Sequence, residues 1–572
     1  SRWIPTEVTS AFVRHLTGSG GVSYAQGANS YSVSAGRAEA AAEWSTARMS
    51  AMQLLQHAMN GTTPRVTDKD SDGRETVNKN ATVAAQQMVA KMQREFTSWA
   101  KTSADMIDFK EAQRLPRDVM EEVYNEVNNS IVPASYDGSY LVLPGLTDTV
   151  RRLPHRMAVV ARVLQEGSAV MAHGVGSGKT FSQIVIAREM RRLGIANKPM
   201  IVVQKATIGQ FAASFRQAYP DARILVATEA TFKATNRKRL MAQIATGDYD
   251  AVIVTQPQFD MLENVPATMQ AFMRAKIAKL EDAIRGEKAK NGRTPTTKQL
   301  EQAIQALQNR MQKQLDRAAE RKDRAVYFEE LGVDALIIDE AHAYKRMELT
   351  TRMTGVKGIP TGNSQRALGL DLKAGLNQYR SGGKNVILAT GTPITNTMAE
   401  AYVMLKLATP NVLKEYRIDT FDDFAHTFGT TNTKLELTWS NTWKMVTRFN
   451  KFTNGSELVA MIRAGFDVKM GNKELGLKVP ELEGGKPELV KVNKTEGGDK
   501  LDDWFMDIAT TFEKMEARNR ADNSWVPITV MQAGMAAALD PRLIDPTLPD
   551  EPGSKVNVAA DRIADLHEKF AD

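Results

Sequence analysis

Across 572 residues the chain is 42% hydrophobic and 25% charged, carries 74 Lys and Arg against 67 Asp and Glu for a net charge of +7, and contains no cysteine. That length suffices for about two to four domains with sizeable cores, and the missing thiols exclude disulfides, thiolate zinc sites and a cysteine nucleophile, as suits a reducing cytoplasm. No apolar run approaches the roughly 20 residues that span a bilayer, and the start Trp3-Ile4-Pro5 has no basic region leading into an apolar one, so neither membrane insertion nor secretion is expected.

Residues 1–149 mix a glycine- and serine-rich stretch, Gly18 to Gly36, with helical periodicity at Ala38 to Met59, Glu75 to Ala100 and Asp118 to Asn129. They read as a mostly helical accessory domain without a catalytic constellation. From residue 150 to 410 short apolar β-rich runs alternate with helical patterns, the signature of βαβ units that build a parallel sheet with helices on both faces. The predicted strands are Ala169 to Ala172, Met200 to Val203, Arg223 to Thr228, Ala251 to Thr255, Ala335 to Asp339 and Val386 to Thr390. The fold class is therefore α/β with mainly helical flanks; six such strands suffice for one RecA-like motor lobe, of the kind that carries a P-loop, and its ligand belongs beyond the carboxyl ends of the strands.

A helical hairpin is expected to interrupt the lobe at about residues 264–328. Met273, Ile277, Leu280 and Ile284 form one apolar stripe; Leu300, Ile304, Leu307, Met311 and Leu315 form another after a turn in which Thr294 caps and Pro295 opens the second helix. Arg274 to Arg324 holds about 14 basic against about 7 acidic side chains, which accounts for the whole charge excess. Two readings stand open: a solvated helix pair braced on the lobe, or an arm that touches nucleic-acid phosphates. Residues 411–548 read as a helical extension of the lobe, and 549–572 as a linker, Pro549 to Ser554, followed by an amphipathic helix that starts a second lobe.

Two segments carry the chemistry. In His173-Gly174-Val175-Gly176-Ser177-Gly178-Lys179-Thr180, glycines let the backbone turn tightly and aim N–H groups at phosphate oxygens, where a Cβ would obstruct the approach. Gly174, Gly176, Ser177 and Gly178 form the cradle, Lys179 sets a point charge on the β- and γ-phosphates, Thr180 offers a hydroxyl to magnesium, and the following helix adds its positive end. In Ala335 to His342 an apolar strand ends in two carboxylates: Asp339 to hold magnesium, Glu340 to orient and deprotonate the attacking water. Read without the cradle, the same carboxylates could simply cap the next helix. His342 either couples the site to a nucleic-acid-binding face or is a hydrogen-bonded core histidine. The expected cofactors are ATP and Mg2+.

The run Asp339-Glu340-Ala341-His342-Ala343-Tyr344-Lys345, the D-E-A-H form, with Ala389-Thr390-Gly391-Thr392-Pro393-Ile394-Thr395-Asn396, resembles motifs II and III of SWI/SNF-like members of helicase superfamily two. The resemblance implies that Thr390 and Thr392 link nucleotide state to DNA grip. The strand Asp250 to Thr255 resembles one that ends in a DNA-contacting threonine, here Thr255. Met200 to Val203 with Gln210-Phe211 resembles motif Ia, with Gln204 at a usual proline position. Arg152-Leu153-Pro154-His155-Arg156 resembles the adenine-side element, with Arg156 in place of its glutamine. The strict phosphate-loop pattern also departs at its first glycine, which is His173, as it does in superfamily two.

Across nearly its whole length the chain resembles the large phage- and plasmid-borne helicase-methyltransferase polyproteins, including the DarB-like antirestriction proteins; Val132-Pro133-Ala134-Ser135-Tyr136-Asp137-Gly138-Ser139 and Gly553-Ser554-Lys555-Val556-Asn557 are among the carriers. The resemblance implies an ATP-dependent double-stranded-DNA translocase of a bacterial host's cytoplasm, serving phage DNA protection or modification. Its implied partners are double-stranded DNA, a second RecA-like lobe and a methyltransferase domain in one longer polypeptide, and phage capsid proteins if the protein is packaged in the virion. No arginine-bearing Q-x-x-G-R-x-x-R motif follows Thr390, so this stretch alone is expected to bind ATP and hydrolyse it poorly. Two alternatives remain: a packaged structural or DNA-binding module with idle motor motifs, and a strand-separating helicase.

Overall fold

The computed structural model describes residues 3–25, 30–34, 41–69, 75–126, 134–291, 295–320, 326–347, 349, 351, 353, 356–360, 364–437, 443–471, 486, 488–492, 496–514 and 525–570. The expected cap Thr294, residues 132 and 133, and parts of the Gly18 to Gly36 stretch lie outside these. By contacts the chain divides into a larger unit, residues 1–432 with 448–478, and a smaller one, 433–447 with 479–572.

The larger unit is built on a seven-stranded, wholly parallel sheet. In chain order its strands are β1 Ala169–His173, β2 Pro199–Val203, β3 Ile224–Val226, β4 Ala251–Thr255, β5 Ala335–Ile338, β6 Val386–Thr390 and β7 Phe466–Lys469. In space they run β7-β1-β6-β5-β2-β4-β3. Because helices cover both faces, every residue of β1, β2, β4, β5 and β6 is buried, which is why these strands read as continuous apolar runs. Alternate residues serve two cores: Val170, Met200, Val252, Leu336 and Val386 face one side, Met171, Ile201, Ile253, Ile337 and Ile387 the other. Each such aliphatic side chain contributes about 1.5–3 kcal/mol on burial.

Six strands fall where the sequence indicates. The seventh, β7, comes from a stretch expected to be helical: residues 411–548 do contain the helices Phe421–Phe428, Gly455–Gly465, Glu496–Lys514 and Val526–Leu539, but also β7 and a hairpin of Gly429–Leu437 with Trp443–Phe452. β7 is four residues long, Phe-Asp-Val-Lys, and lies at the sheet edge with only its first two residues buried, so it lacks the apolar run that marks its neighbours.

The helices that shape the site are α1 Pro154–Glu166, α2 Lys179–Arg192, α3 Gln256–Met261, α4 Pro266–Asn291, α5 Pro295–Glu320, α6 Gln365–Ser381 and α7 Ala399–Ala408. The pair α4 and α5 is the expected hairpin, closed by Leu280 and Ile284 against Ile304 and Leu307, and Lys276 ties it to Asp371 of α6 at 2.6 Å.

The amino-terminal region has its own core around Val13, Leu54, Trp99 and Val119. Two of its helices start later than the periodicity suggests, while the third, Pro116–Tyr124, starts two residues before Asp118. Ser50 forms a capping box with Gln53 and opens Ala51–Asn60, not Ala38; Asn78 caps Lys79–Thr102, while Glu75–Val77 pairs as a strand with Thr67–Lys69. In the smaller unit the segment expected to be a linker ends at Ser554, which is buried, caps Lys555–Lys569 and hydrogen-bonds to Asp540 at 3.3 Å. No described helix is long and apolar enough to cross a membrane.

Candidate nucleotide-binding site

The strand order sets β1, β6 and β5 side by side, so the segments that leave their carboxyl ends share one rim of the sheet. Register carries this to the residue: Thr390 pairs with Ala172, Leu388 with Ile338, and the Asp339 N–H continues the ladder to Val202 O at 2.8 Å. Beyond β1 comes the glycine loop, beyond β5 the carboxylate pair, beyond β6 the threonine loop.

Gly176 and Gly178 take φ of 81° and 83°, where a Cβ is strained; a Cβ on Gly178 would also run into the Arg156 guanidinium. The Gly174 N–H is committed to Lys469 O of β7 at 2.9 Å. Lys179 arches back over the loop, its Nζ donating to His173 O at 3.1 Å and Gly174 O at 3.2 Å, so its charge lies where loop carbonyls converge. Thr180 is half-buried one residue on, and the buried Ser177 hydroxyl has no hydrogen-bond partner among the described residues. Glycines at left-handed φ, a cation over the loop and an orphaned hydroxyl suit a phosphate chain.

The loop and the carboxylates meet. Burial raises the Asp339 carboxyl above its ordinary range; a hydrogen bond from Gln183 Nε2 at 2.7 Å opposes this, the Glu340 charge adds to it, and the Lys179 ammonium stands close enough to pull it down. A carboxylate made costly by burial is one that a magnesium ion relieves, so Asp339 with the Thr180 hydroxyl fits that ion. Glu340 has a left-handed backbone, φ 48° and ψ 49°, a conformation that costs a non-glycine residue about 1–2 kcal/mol. Its carboxylate lies 2.9 Å from His342 Nδ1, and that nitrogen lies 3.4 Å from Thr390 Oγ1. His342 is thus half-exposed between the dyad and the threonine loop, not enclosed in the core.

Thr390 is wholly buried and its hydroxyl accepts the Thr392 N–H at 3.1 Å. Lys345, in the turn after the dyad, braces the same loop: its Nζ meets Thr395 Oγ1 at 2.7 Å and Glu400 Oε2 at 3.1 Å, both charges buried. A Cβ on Gly391 would stand 3.6 Å from Lys179 Nζ and from His173 O, so the threonine loop lies against the cradle itself. Thr255 is buried at the end of β4, where its hydroxyl caps α3 in a box with Gln258.

Beside Gly178 and Thr180 opens a cavity of about 520 Å³, lined by Thr149, Arg151, Arg156, Phe181, Ser214 and Gln217 among others. Arg156 closes its inner side, donating from Nε to Ser177 O at 3.0 Å and stacking 5.6 Å from the Phe181 ring centre. Sequence reasoning missed Gln183, though its place one turn after Lys179 on α2 was a usable signal. It also missed the buried pair of His173 Nε2 with Asp467 Oδ1 at 2.7 Å, for which a separation of 294 positions left none.

Residues 162–469, more than half of the chain, match a family described as a probable helicase domain. The chain belongs to that family. The helicase domain so defined ends on the last residue of β7, and residues 1–130 match a second family, described as a domain of unknown function (DUF8437). The chain is similar to "Defense against restriction protein B" of Escherichia phage P1, at 24% identity in an alignment of 395 positions that covers 61% of this chain and 16% of that protein. The chain thus corresponds to about a sixth of the curated relative's length. Among solved structures it is similar to the SWI2/SNF2 ATPase core of Sulfolobus solfataricus in complex with double-stranded DNA, at 12% identity and TM-score 0.33 over 76% of this chain and 67% of that one. The core solved as the ATPase core domain gives 12% and 0.32 over 77% and 68%.

Proposed function

We propose that this chain is the first motor lobe of an ATP-dependent translocase of double-stranded DNA, SWI/SNF-like in its motifs, that serves phage DNA protection or modification. One observation carries the reading: cradle, carboxylate pair and threonine loop stand on three adjacent strands, with Glu340, His342 and Thr390 in one chain of contacts. The curated relative's name, which concerns defence against restriction, and its phage source support the setting. That relative's far greater length supports a longer polypeptide; in this reading a second lobe would complete the site and a methyltransferase would lie beyond it.

In this reading Gly176, Gly178 and the amino end of α2 receive the triphosphate, and Lys179 leaves its loop carbonyls for the β- and γ-phosphates. The cavity beside Arg156 and Phe181 receives the base. Asp339 and Thr180 would hold magnesium, which would supply positive charge to offset that of the phosphates. Glu340 orients the water and takes its proton as the new P–O bond forms and the bond to the bridging oxygen breaks, releasing ADP and phosphate. Because Glu340 contacts His342, and His342 contacts Thr390, loss of the γ-phosphate is felt by the loop that Lys345 and Glu400 brace. Alternating between two such states would shift the grip on DNA.

The test is ATP turnover by a polypeptide that carries this chain and the second lobe. Duplex DNA should stimulate it more than single-stranded DNA, and Lys179→Ala should abolish both turnover and DNA protection. Stronger stimulation by single strands would point instead to strand separation, and protection that survives Lys179→Ala to a packaged DNA-binding module. This chain alone should bind ATP and turn it over slowly, since missing arginine fingers cost roughly 10³ to 10⁵ in rate in related nucleotide hydrolases.

A further inference from the structure

Behind the carboxylate pair lies a set of side chains that the hydrolytic reading does not use. Gln256, the first residue of α3, is buried, and its Nε2 donates to Asp339 O at 3.0 Å and Glu340 O at 3.4 Å. These are the two carbonyls that flank the left-handed turn at Glu340. The other end of the same amide, Oε1, accepts from Arg366 Nη2 at 3.1 Å. Arg366, in the first turn of α6, donates through Nε to Asp260 Oδ2 at 2.5 Å, and its guanidinium centre lies 5.3 Å from the Tyr344 ring centre. The fully buried Tyr344 closes the ring by donating its hydroxyl to Asp260 Oδ1 at 3.2 Å.

We propose that Gln256 and Arg366 are positioning residues for Glu340: Arg366 fixes which way the Gln256 amide points, and Gln256 holds the Asp339–Glu340 backbone in the conformation that aims the Glu340 carboxylate. The inference rests on the proposed hydrolytic role of Glu340. Three features of the geometry carry it. An amide has one donor end and one acceptor end, and Arg366, which can only donate, leaves Gln256 a single orientation, with its N–H groups toward the two carbonyls. A non-glycine residue at positive φ persists only where its surroundings over-determine it, and here they do so through hydrogen bonds to both adjoining peptide units. The guanidinium fork serves two acceptors at once, Asp260 and Gln256, which a lysine in its place could not do in the same plane. The ring also spans α3, the turn after β5 and the start of α6, so a shift of α6 would be felt at Glu340 without displacing Asp339 from its strand.

Gln256→Glu tests this most directly. Glutamate matches the shape and still accepts from Arg366, but it cannot donate to the carbonyls. Amide hydrogen exchange over residues 339–342 should quicken by about tenfold, the equivalent of one lost buried hydrogen bond, while exchange elsewhere and ATP affinity stay the same. The single-turnover hydrolysis rate should fall by a similar factor, with Arg366→Lys intermediate and Gln256→Asn, which is one methylene short, no better than Gln256→Glu. Unchanged exchange over 339–342 in Gln256→Glu would overturn the inference while leaving the nucleotide site intact. Quickened exchange with an unchanged hydrolysis rate would overturn it too, by showing that the clamp holds the turn without serving Glu340. Failure of the wild-type chain to bind ATP would instead remove the reading beneath it, and the inference with it.

Discussion

Lys373 shows how much charge this fold tolerates in its interior. It is 2% exposed, its Nζ 4.7 Å from the Phe259 ring centre, and burial lowers its pKa from 10.5 to about 8 despite the nearby Asp260, Glu329 and Glu263. A cation with a depressed folded-state pKa costs stability fully below pH 8, and the cost fades as pH rises from 8 toward 10.5, where the unfolded chain binds more protons than the folded one. Lys373→Met should therefore raise the melting temperature at pH 7, by a gain of about 1 kcal/mol or more, with the difference shrinking by pH 10; equal melting at pH 7 would show the charge to be better compensated than its surroundings indicate. Asp339 obeys the same physics at the site. Its carboxylate is unfavourable where it stands, so Asp339→Asn should leave melting in the absence of magnesium unchanged or higher.

At the scale of elements, what could be read from the sequence depends on how completely each strand is buried. Strands covered on both faces leave short apolar runs, such as Met200 to Val203 and Ala335 to Ile338, rich in β-branched residues and bounded by polar segments, and the motifs on their ends came with them. The edge strand β7 gave no such run, yet it supports the cradle. Lys469 O takes the Gly174 N–H, Asp467 pairs with His173 inside the fold, and the buried Arg162 guanidinium binds the carbonyls of Arg463, Ala464 and Phe466. Those contacts join residues some 300 positions apart, a separation at which periodicity and local spacing carry no information. Asp467→Ala should destabilise the chain by about 2 kcal/mol and weaken ATP binding, since it leaves His173 without its acceptor at the base of the loop. Chemical denaturation together with ATP titration would check both, and an intact affinity would show that the cradle holds its shape without β7.

For the whole molecule, the larger unit gathers its described residues around several hydrophobic clusters, one on each face of the sheet, one in the amino-terminal region and one between α4 and α5. The smaller unit was less legible. Its parts come from 433–447 and from 479 onward, two stretches whose association no local pattern announces. The charge excess concentrated between Arg274 and Arg324 belongs to this scale as well. If α4 and α5 meet DNA phosphates, duplex affinity should fall steeply with salt, and replacing their exposed basic residues should flatten that slope without altering ATP binding. An unchanged slope would assign the hairpin to bracing.

The most direct measurement is calorimetric titration of ATP, with and without magnesium, into the wild-type chain, Lys179→Ala and Asp339→Asn. One site shared by the glycine loop and the acidic pair requires that binding be strengthened by magnesium in the wild type, fall at least about tenfold in Lys179→Ala, and lose its dependence on magnesium in Asp339→Asn. ATP binding that ignores both substitutions, or no binding by the wild-type chain, would contradict it.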